Sequence, residues 1–480
     1  MTFSPPTAPH GDDSPSSCSR VERVMHYVRE RIQHRTLNVG ARLPSIRAMA
    51  QLMHVSKSTV VDAYDRLVAE GLIQSRPGAG FYVRQPLPPF SLSARPSAPT
   101  RQVDPLWVMR QSLDADEHTL NPGCGWLPAT WMPENDIRKA LRALSRQPVA
   151  PLTAYGTPQG SPELRQLLAL RMSERGILTD PACLVLTESG TQALDLICRF
   201  LLDRGDTVLV DDPCFFNFHA MLRAHRVHVI SVPFTPTGPD VEAFAQQVTQ
   251  HRPRLYLTNA ALHNPTGATI SSATAHRVLQ IAEQYDVTIV EDDVFADFEQ
   301  QPSPRMAAMD GLRRVIHTGS FSKSLSASVR CGYIAARPEW IEGLVDMKLA
   351  TAFEAGHFSA ELLLKLLSSG AYRRHMEGVR ARLSEAMHLT TSRLESAGLT
   401  LWTQPRAGMF AWAKLPDGLS AQHIAQLALA QGVVMAPGNA FSLSHQADAY
   451  LRFNVAQSTH PRVMDVLTDA MEHARRTPPA

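Results

Sequence analysis

The sequence predicts an α/β protein of two domains: a small helical head that ends in a β-hairpin, then a larger domain on a mainly parallel sheet. Three observations carry this. From residue 120 to about 475, strand-like apolar runs alternate with helical ones, the pattern of a parallel sheet covered by helices. Between residues 20 and 84, three short stretches of helical spacing precede a glycine-rich hairpin. Between these two regions lies a stretch of proline, serine and alanine with little periodicity. A chain of 480 residues is also too long for one ordinary core.

In the head, Val21, Val24, Val28 and Ile32 recur at helical spacing, so a first amphipathic helix runs from Arg20 to about Arg35, with Gly40 ending its tail. Ser45 caps a second helix that buries Ile46, Met49, Ala50 and Met53. Ser56 caps a third, with Val60, Ala63, Tyr64 and Leu67 facing inward. After Gly71, the short strands Leu72-Ile73 and Phe81-Tyr82-Val83 flank Arg76-Pro77-Gly78-Ala79-Gly80, a tight turn that carries a cation. Three helices and a hairpin in this order make a winged helix-turn-helix.

The net charge of the chain is only +2, yet residues 20 to 84 hold eleven Lys or Arg against five Asp or Glu, a local excess of +6. Such an excess on one small domain fits a polyanionic partner, double-stranded DNA. The arrangement resembles the winged helix of GntR-type transcription regulators in Arg42-Leu-Pro-Ser-Ile-Arg47, in Val55-Ser-Lys-Ser-Thr-Val60 and in Ser75-Arg-Pro-Gly-Ala-Gly80. That resemblance implies that Lys57, Ser58 and Thr59 enter the major groove, while Arg42, Arg47 and Arg76, with Ser45 and Gly78 beside them, meet the backbone or minor groove.

Residues 85–119 read as a proline-rich linker, an extended and semi-rigid tether. Residues 1–19 are polar and proline-rich without an apolar core, which gives a disordered tail rather than a signal peptide. No apolar run could span a bilayer, and the six cysteines show neither zinc-ligand nor disulfide-framework spacing. No membrane, no metal and a cytoplasmic setting are expected.

In parallel sheets, ligands lie beyond the carboxyl ends of strands. The strand Cys183–Thr187 leads to Ser189-Gly190-Thr191 at the start of a helix, an anion site of hydroxyls and free amides. Further strands end at Pro213-Cys-Phe215, at His263-Asn264-Pro265-Thr266-Gly267 and at Glu291-Asp292-Asp293. The next runs into Ser320-Phe-Ser322-Lys323, followed by Arg330-Cys-Gly332. Hydroxyls and Arg330 can hold a dianion, Gly332 lets backbone approach, and the Lys323 amine can form a Schiff base with a carbonyl.

Ser-x-Ser-Lys followed by Arg-x-Gly resembles the cofactor-lysine signature of fold-type I aminotransferases, which bind pyridoxal 5'-phosphate. The resemblance implies large and small subdomains and gives each candidate a role. Lys323 is the catalytic residue that carries the cofactor. Ser189, Gly190, Thr191, Ser320, Ser322 and Arg330 hold the phosphate, Phe215 stacks on the pyridine and Asn264 bonds its phenolic oxygen. Asp292 pairs with the ring nitrogen, with Asp293 the alternative. Tyr155, in Ala154-Tyr-Gly-Thr-Pro-Gln-Gly160, matches a tyrosine that reaches the phosphate of a neighbouring subunit, which implies a homodimer. Arg452, in Tyr450-Leu-Arg-Phe-Asn454, matches the arginine that grips a ligand carboxylate.

One position departs from that pattern. A tyrosine usually follows the pyridine aspartate by two or three residues, and this chain has Val294 and Phe295. Loss of that hydroxyl weakens the case for turnover and leaves cofactor binding intact. Head, linker and cofactor domain together resemble the MocR subfamily of transcription regulators. The expected function is a regulator that binds DNA and pyridoxal 5'-phosphate and answers to the cofactor or to an amine or amino acid through Lys323. The alternative is an active aminotransferase with an appended DNA-binding head.

Overall fold

The computed structural model describes residues 19–34, 36–84, 105–116, 118–146, 153–354, 356–444 and 446–477. The chain divides into two compact units near residue 100.

In the first unit, α1 (Arg20–Gln33), α2 (Ile46–Met53) and α3 (Lys57–Ala69) precede β1 (Ile73–Arg76) and β2 (Gly80–Val83). Serine begins each helix for the same reason: its hydroxyl accepts a backbone N–H that the first turn leaves without a partner. Ser19 takes Glu22 N, Ser45 takes Ala48 N and Ser56 takes Thr59 N. Ser19 is therefore the cap of α1 and no part of the expected tail; residues 1–18 lie outside the described residues. Val24, Val28, Met49, Val60, Ala63, Tyr64 and Leu67 close one small core against Ile73 and Val83. The antiparallel hairpin pairs Ile73 with Val83 and Arg76 with Gly80, and Gly78 turns it at φ +72°.

The second unit corrects the linker. Within residues 85–119, a helix spans Pro105–Leu113, with Trp107 and Val108 buried in the main core. Pro105 is its first residue, where a missing N–H costs nothing. Burial of one face of so short a helix leaves too few turns to register as periodicity. The rest of the expected tether, residues 85–104, lies outside the described residues.

Eight strands form the large sheet in the order β3-β10-β9-β8-β7-β4-β5-β6. They are β3 (Leu184–Thr187), β4 (Thr207–Asp212), β5 (His228–Thr235), β6 (Gly238–Pro239), β7 (Leu255–Thr258), β8 (Thr288–Asp292), β9 (Val315–Ser320) and β10 (Gly332–Ala335). Pairings from β5 through β4, β7 and β8 to β9 are parallel. β10 runs antiparallel between β9 and β3, so β3 points the same way as β9. The central strands are buried on both faces and read as continuous apolar runs.

A second, antiparallel sheet of four strands joins β11 (Thr400–Leu401), β12 (Phe410–Lys414), β14 (Tyr450–Asn454) and β13 (Ala436–Pro437). The long helix Ala371–Ser396 leads into it. Among the described residues no helix is long and apolar enough to cross a membrane.

Candidate functional site

Thr187, Asp212, Thr258, Asp292 and Ser320 are the last residues of five strands that point the same way. The loops that leave them build a cavity of about 160 Å³. Ser189, Gly190, Thr191, Phe215, Asn264, Asp292, Ser320, Ser322, Lys323 and Arg330 all line it. The structure thus gathers ten of the residues singled out in the sequence.

One end is an anion cradle. Ser189 caps the helix Gly190–Leu201, and Gly190 and Thr191, the first residues of that helix, line the cavity. Gly332, the first residue of β10, lies opposite Thr187 on one side and Ser320 on the other. A Cβ on Gly332 would stand 2.6 Å from the Ser189 carbonyl carbon and 2.8 Å from Gly190 N. Glycine there is what allows the two hydroxyl-bearing loops to meet. Ser320 Oγ lies 3.1 Å from Ser322 Oγ, and Arg330 is exposed at the rim.

The other end is acidic. Asp292 is buried, and its Oδ1 has no hydrogen-bond partner among the described residues. Burial and the neighbouring Asp293 charge push its carboxyl up to about 7. Asp293 faces the opposite way: Arg305 grips both its oxygens at 3.1 Å, and His317 Nε2 is 3.1 Å from Oδ2. Burial opposes its charge, yet Arg305 and His317 hold it far below the ordinary carboxylate range. Of the two aspartates that the sequence left open, Asp292 alone lines the cavity.

Lys323 lines the same cavity and feels the charges of both Asp292 and Arg330. Desolvation lowers its ammonium to about 8, with Arg452 and Arg330 adding repulsion against the pull of Cys124 and Asp292. An amine so placed is substantially neutral near pH 8 and can act as a nucleophile. Its Nζ lies 5.8 Å from the centre of the Trp126 ring.

Two candidates lie elsewhere. Arg452 does not line the cavity; it is buried behind Asn264, donating from Nη1 to Asn264 Oδ1 at 2.8 Å and from Nη2 to Gly123 O at 2.5 Å. Phe410 and Phe441 pack on its guanidinium, and burial lowers its pKa to about 9. Tyr155 is 78% exposed and meets only the ring of Phe353, at 5.2 Å between centroids, among the contacts described for it.

The sequence reading passed over several wall residues. Asn259, one residue beyond β7, donates to the Asp292 carbonyl and accepts from Asn264 N at 3.1 Å, so it locks two of the site loops together. Its position just past a strand end was a signal available in the sequence. Met109, Gly125 and Asn217 also line the cavity. No strand end or motif marks Met109 or Gly125; tertiary structure alone brings them in.

On the head, Lys57 and Ser58 are exposed at the start of α3, whereas Thr59 is half-buried with its hydroxyl 2.8 Å from the Ser56 cap. Ser45 likewise spends its hydroxyl on its own helix. Arg42 and Arg47 are exposed, and Arg76 lies over the Tyr82 ring at 4.6 Å beside the exposed turn at Gly78. Arg42, Arg47, Lys57 and Arg76 therefore sit before or in the first turns of α2 and α3 and on the hairpin.

The cavity suits a flat ligand with a basic ring nitrogen at one end, a phosphate at the other and a carbonyl between: Asp292 Oδ1 lacks a partner, the Ser189–Ser320 cradle is open and Lys323 is desolvated. Comparison with known proteins agrees. Residues 132–469 match the family model of aminotransferase class I and II, and residues 20–83 match that of bacterial regulatory proteins of the gntR family. The chain is 26% identical to the HTH-type transcriptional regulator YdfD of Bacillus subtilis, over 92% of this chain and 93% of that one. It is 29% identical to the probable rhizopine catabolism regulatory protein MocR of Rhizobium meliloti, over 84% and 83%. Among solved structures, the α-aminoadipate aminotransferase LysN of Thermus thermophilus, complexed with N-(5'-phosphopyridoxyl)-L-leucine, matches with a TM-score of 0.70 and 26% identity, covering 77% of this chain and 95% of that one. The chain belongs to the aminotransferase class I and II family, whose cofactor is pyridoxal 5'-phosphate, with a GntR-type segment preceding that domain in sequence, the architecture of the MocR-type regulators.

Proposed function

We propose that the protein is a homodimeric transcription regulator that senses pyridoxal 5'-phosphate, or an amine or amino acid captured on it, and changes its hold on DNA in response. The observation that carries this reading is the convergence of Lys323, the Asp292 carboxyl whose Oδ1 has no partner among the described residues, and the Ser189–Ser320 cradle in one cavity, in a chain that holds a winged helix at residues 20–83. When bound, the cofactor supplies a carbonyl that amines capture reversibly and a ring that withdraws electrons.

The remaining roles belong to the chain. Lys323 Nζ anchors the carbonyl end, Ser189, Thr191, Ser320, Ser322 and Arg330 bind the phosphate, and Asp292 holds a proton on the ring nitrogen. Phe215 covers the ring face, and Asn264 orients the edge. Arg452 receives a ligand carboxylate by giving up the Gly123 carbonyl or the Asn264 amide oxygen. Tyr155, exposed beside the 59% exposed Phe353, reaches the partner's phosphate across a dimer interface. Val294 and Phe295 line the wall without a hydroxyl, and no tyrosine appears among the described lining residues, which favours holding a ligand over turning it over.

A ligand regulates only if its affinities for two arrangements of the protein differ. The test is a titration of the cofactor-loaded protein with amines and amino acids, followed by visible absorbance and by binding to labelled operator DNA. A regulator gives a persistent new absorbance band and a changed DNA affinity with the same compound. Steady release of a 2-oxo acid with DNA affinity unchanged would make the chain an enzyme instead.

A further inference from the structure

Lys323 is flanked by Phe321 and Ser324, and both touch one helix. Ser324 is buried, and its hydroxyl and its carbonyl are both taken by the start of the helix Ala371–Ser396. Tyr372 Oη lies 2.7 Å from Ser324 Oγ, and His375 Nε2 lies 2.8 Å from the Ser324 carbonyl oxygen. The Phe321 ring meets Tyr372 edge-on, 6.0 Å between centroids. The loop is therefore gripped on both sides of the lysine by residues one helical turn apart.

The grip is polarised from behind. Tyr372 Oη also reaches Asp297, which Arg171 engages at 2.9 Å and Arg175 engages as well. Burial opposes the charge on Asp297, but Arg175, Arg171 and the Tyr372 hydroxyl outweigh it and keep the carboxylate ionised. One phenolic proton cannot serve two oxygens. The carboxylate takes it, so Ser324 Oγ–H donates to Tyr372 Oη. His375 offers its Nε2–H to a carbonyl, which fixes the tautomer. Arg380, further along the same helix, donates to the Asp297 carbonyl at 3.0 Å.

We propose that Tyr372 and His375 are positioning residues for Lys323, holding the backbone on both sides of it so that Nζ stays at the centre of the cavity. The inference rests on Lys323 as the cofactor's anchor. It has a consequence for transmission: the same helix leads into β11 of the small sheet, whose strand β14 carries Arg452, so the Lys323 loop and Arg452 are linked through that helix and sheet.

The experiment uses the full chain loaded with pyridoxal 5'-phosphate and reads two quantities at fixed pH: the dissociation constant for the cofactor and the ratio of its visible absorbance bands. Ser324→Ala should weaken binding about fivefold and shift the band ratio, as expected for one lost hydrogen bond at a site that orients the anchor, and Tyr372→Phe, which also gives up Asp297, should do so at least as much. The double variant should be no weaker than the worse single one, because both remove the same bond. His375→Ala should behave alike, and His375→Gln, which keeps an N–H donor, should recover most of the loss. An unchanged band ratio throughout, losses that multiply in the double variant, or His375→Gln as impaired as His375→Ala would each overturn the proposal. Ser324→Ala removes a single oxygen and leaves the helix intact, so a Tyr372→Phe variant that fails to fold does not spoil the test. If Lys323→Ala keeps the wild-type band, the anchor assignment itself falls, whatever the helix variants do.

Discussion

Replacement of Asp292 by asparagine should weaken the cofactor and strengthen the empty protein, and the second effect should depend on pH. In the folded chain the Asp292 carboxyl titrates at about 7 against an ordinary 3.8, because it is buried beside the Asp293 charge with one oxygen unpartnered. The native state thus keeps a proton that the unfolded chain releases. Stability falls as pH rises from about 4 to about 7 and is level above. A gap of about three pH units at about 1.4 kcal/mol each makes the ionised carboxylate cost about 4 kcal/mol at pH 8. The asparagine amide would still lack a partner and would give back about 1–3 kcal/mol of that. Asp292→Asn should therefore raise the stability of the cofactor-free domain by about 1–3 kcal/mol at pH 8, and the advantage should shrink by about 3 kcal/mol at pH 5. All six tryptophans, Trp107, Trp126, Trp131, Trp340, Trp402 and Trp412, lie in this domain, so their fluorescence during denaturant unfolding follows it separately from the head. Cofactor affinity should drop roughly tenfold to a hundredfold, the loss of one buried charged hydrogen bond. Asp293→Asn is the control: it breaks the Arg305 pair and should cost about 3–5 kcal/mol. An advantage of Asp292→Asn that is equal at pH 5 and pH 8 would refute the reasoning.

Three more outcomes are expected. Because Lys323 titrates near 8, cofactor capture by the empty protein should slow about tenfold for each pH unit below that value and level off above it, read as the rate at which visible absorbance appears. Gly332→Ala would place a methyl group 2.6 Å from the Ser189 backbone, so it should open the phosphate cradle and lower cofactor affinity at least tenfold, measured by equilibrium dialysis. On the head, Lys57→Ala or Arg47→Ala should weaken operator binding and flatten the salt dependence by about one unit per lost phosphate contact, measured by fluorescence anisotropy at several salt concentrations.

Much of this protein could be read from local pattern. Serine caps, helical spacing and a glycine-flanked turn specify the head, because each acts within a few residues of itself. Ser189, Asn264, Asp292, Ser320 and Lys323 were legible for a related reason: in a parallel sheet the strand direction alone carries each of them to the same edge. The helix Pro105–Leu113 escaped, since its single buried face depends on a core assembled from segments far along the chain.

What the sequence by itself determined is the order of the two domains, the run of strands whose ends carry the site, and the chemical types gathered there. Tertiary structure decided which aspartate is available, because only the packing of Arg305 and His317 against Asp293 leaves Asp292 turned to the cavity. It also decided that Arg452 lies behind Asn264 rather than on the cavity wall, and that Tyr372 and His375 stand against the loop of Lys323. Such choices turn on electrostatic and hydrogen-bond partners many residues apart in the chain, and their spacing in sequence holds no record of them until the sheets are packed.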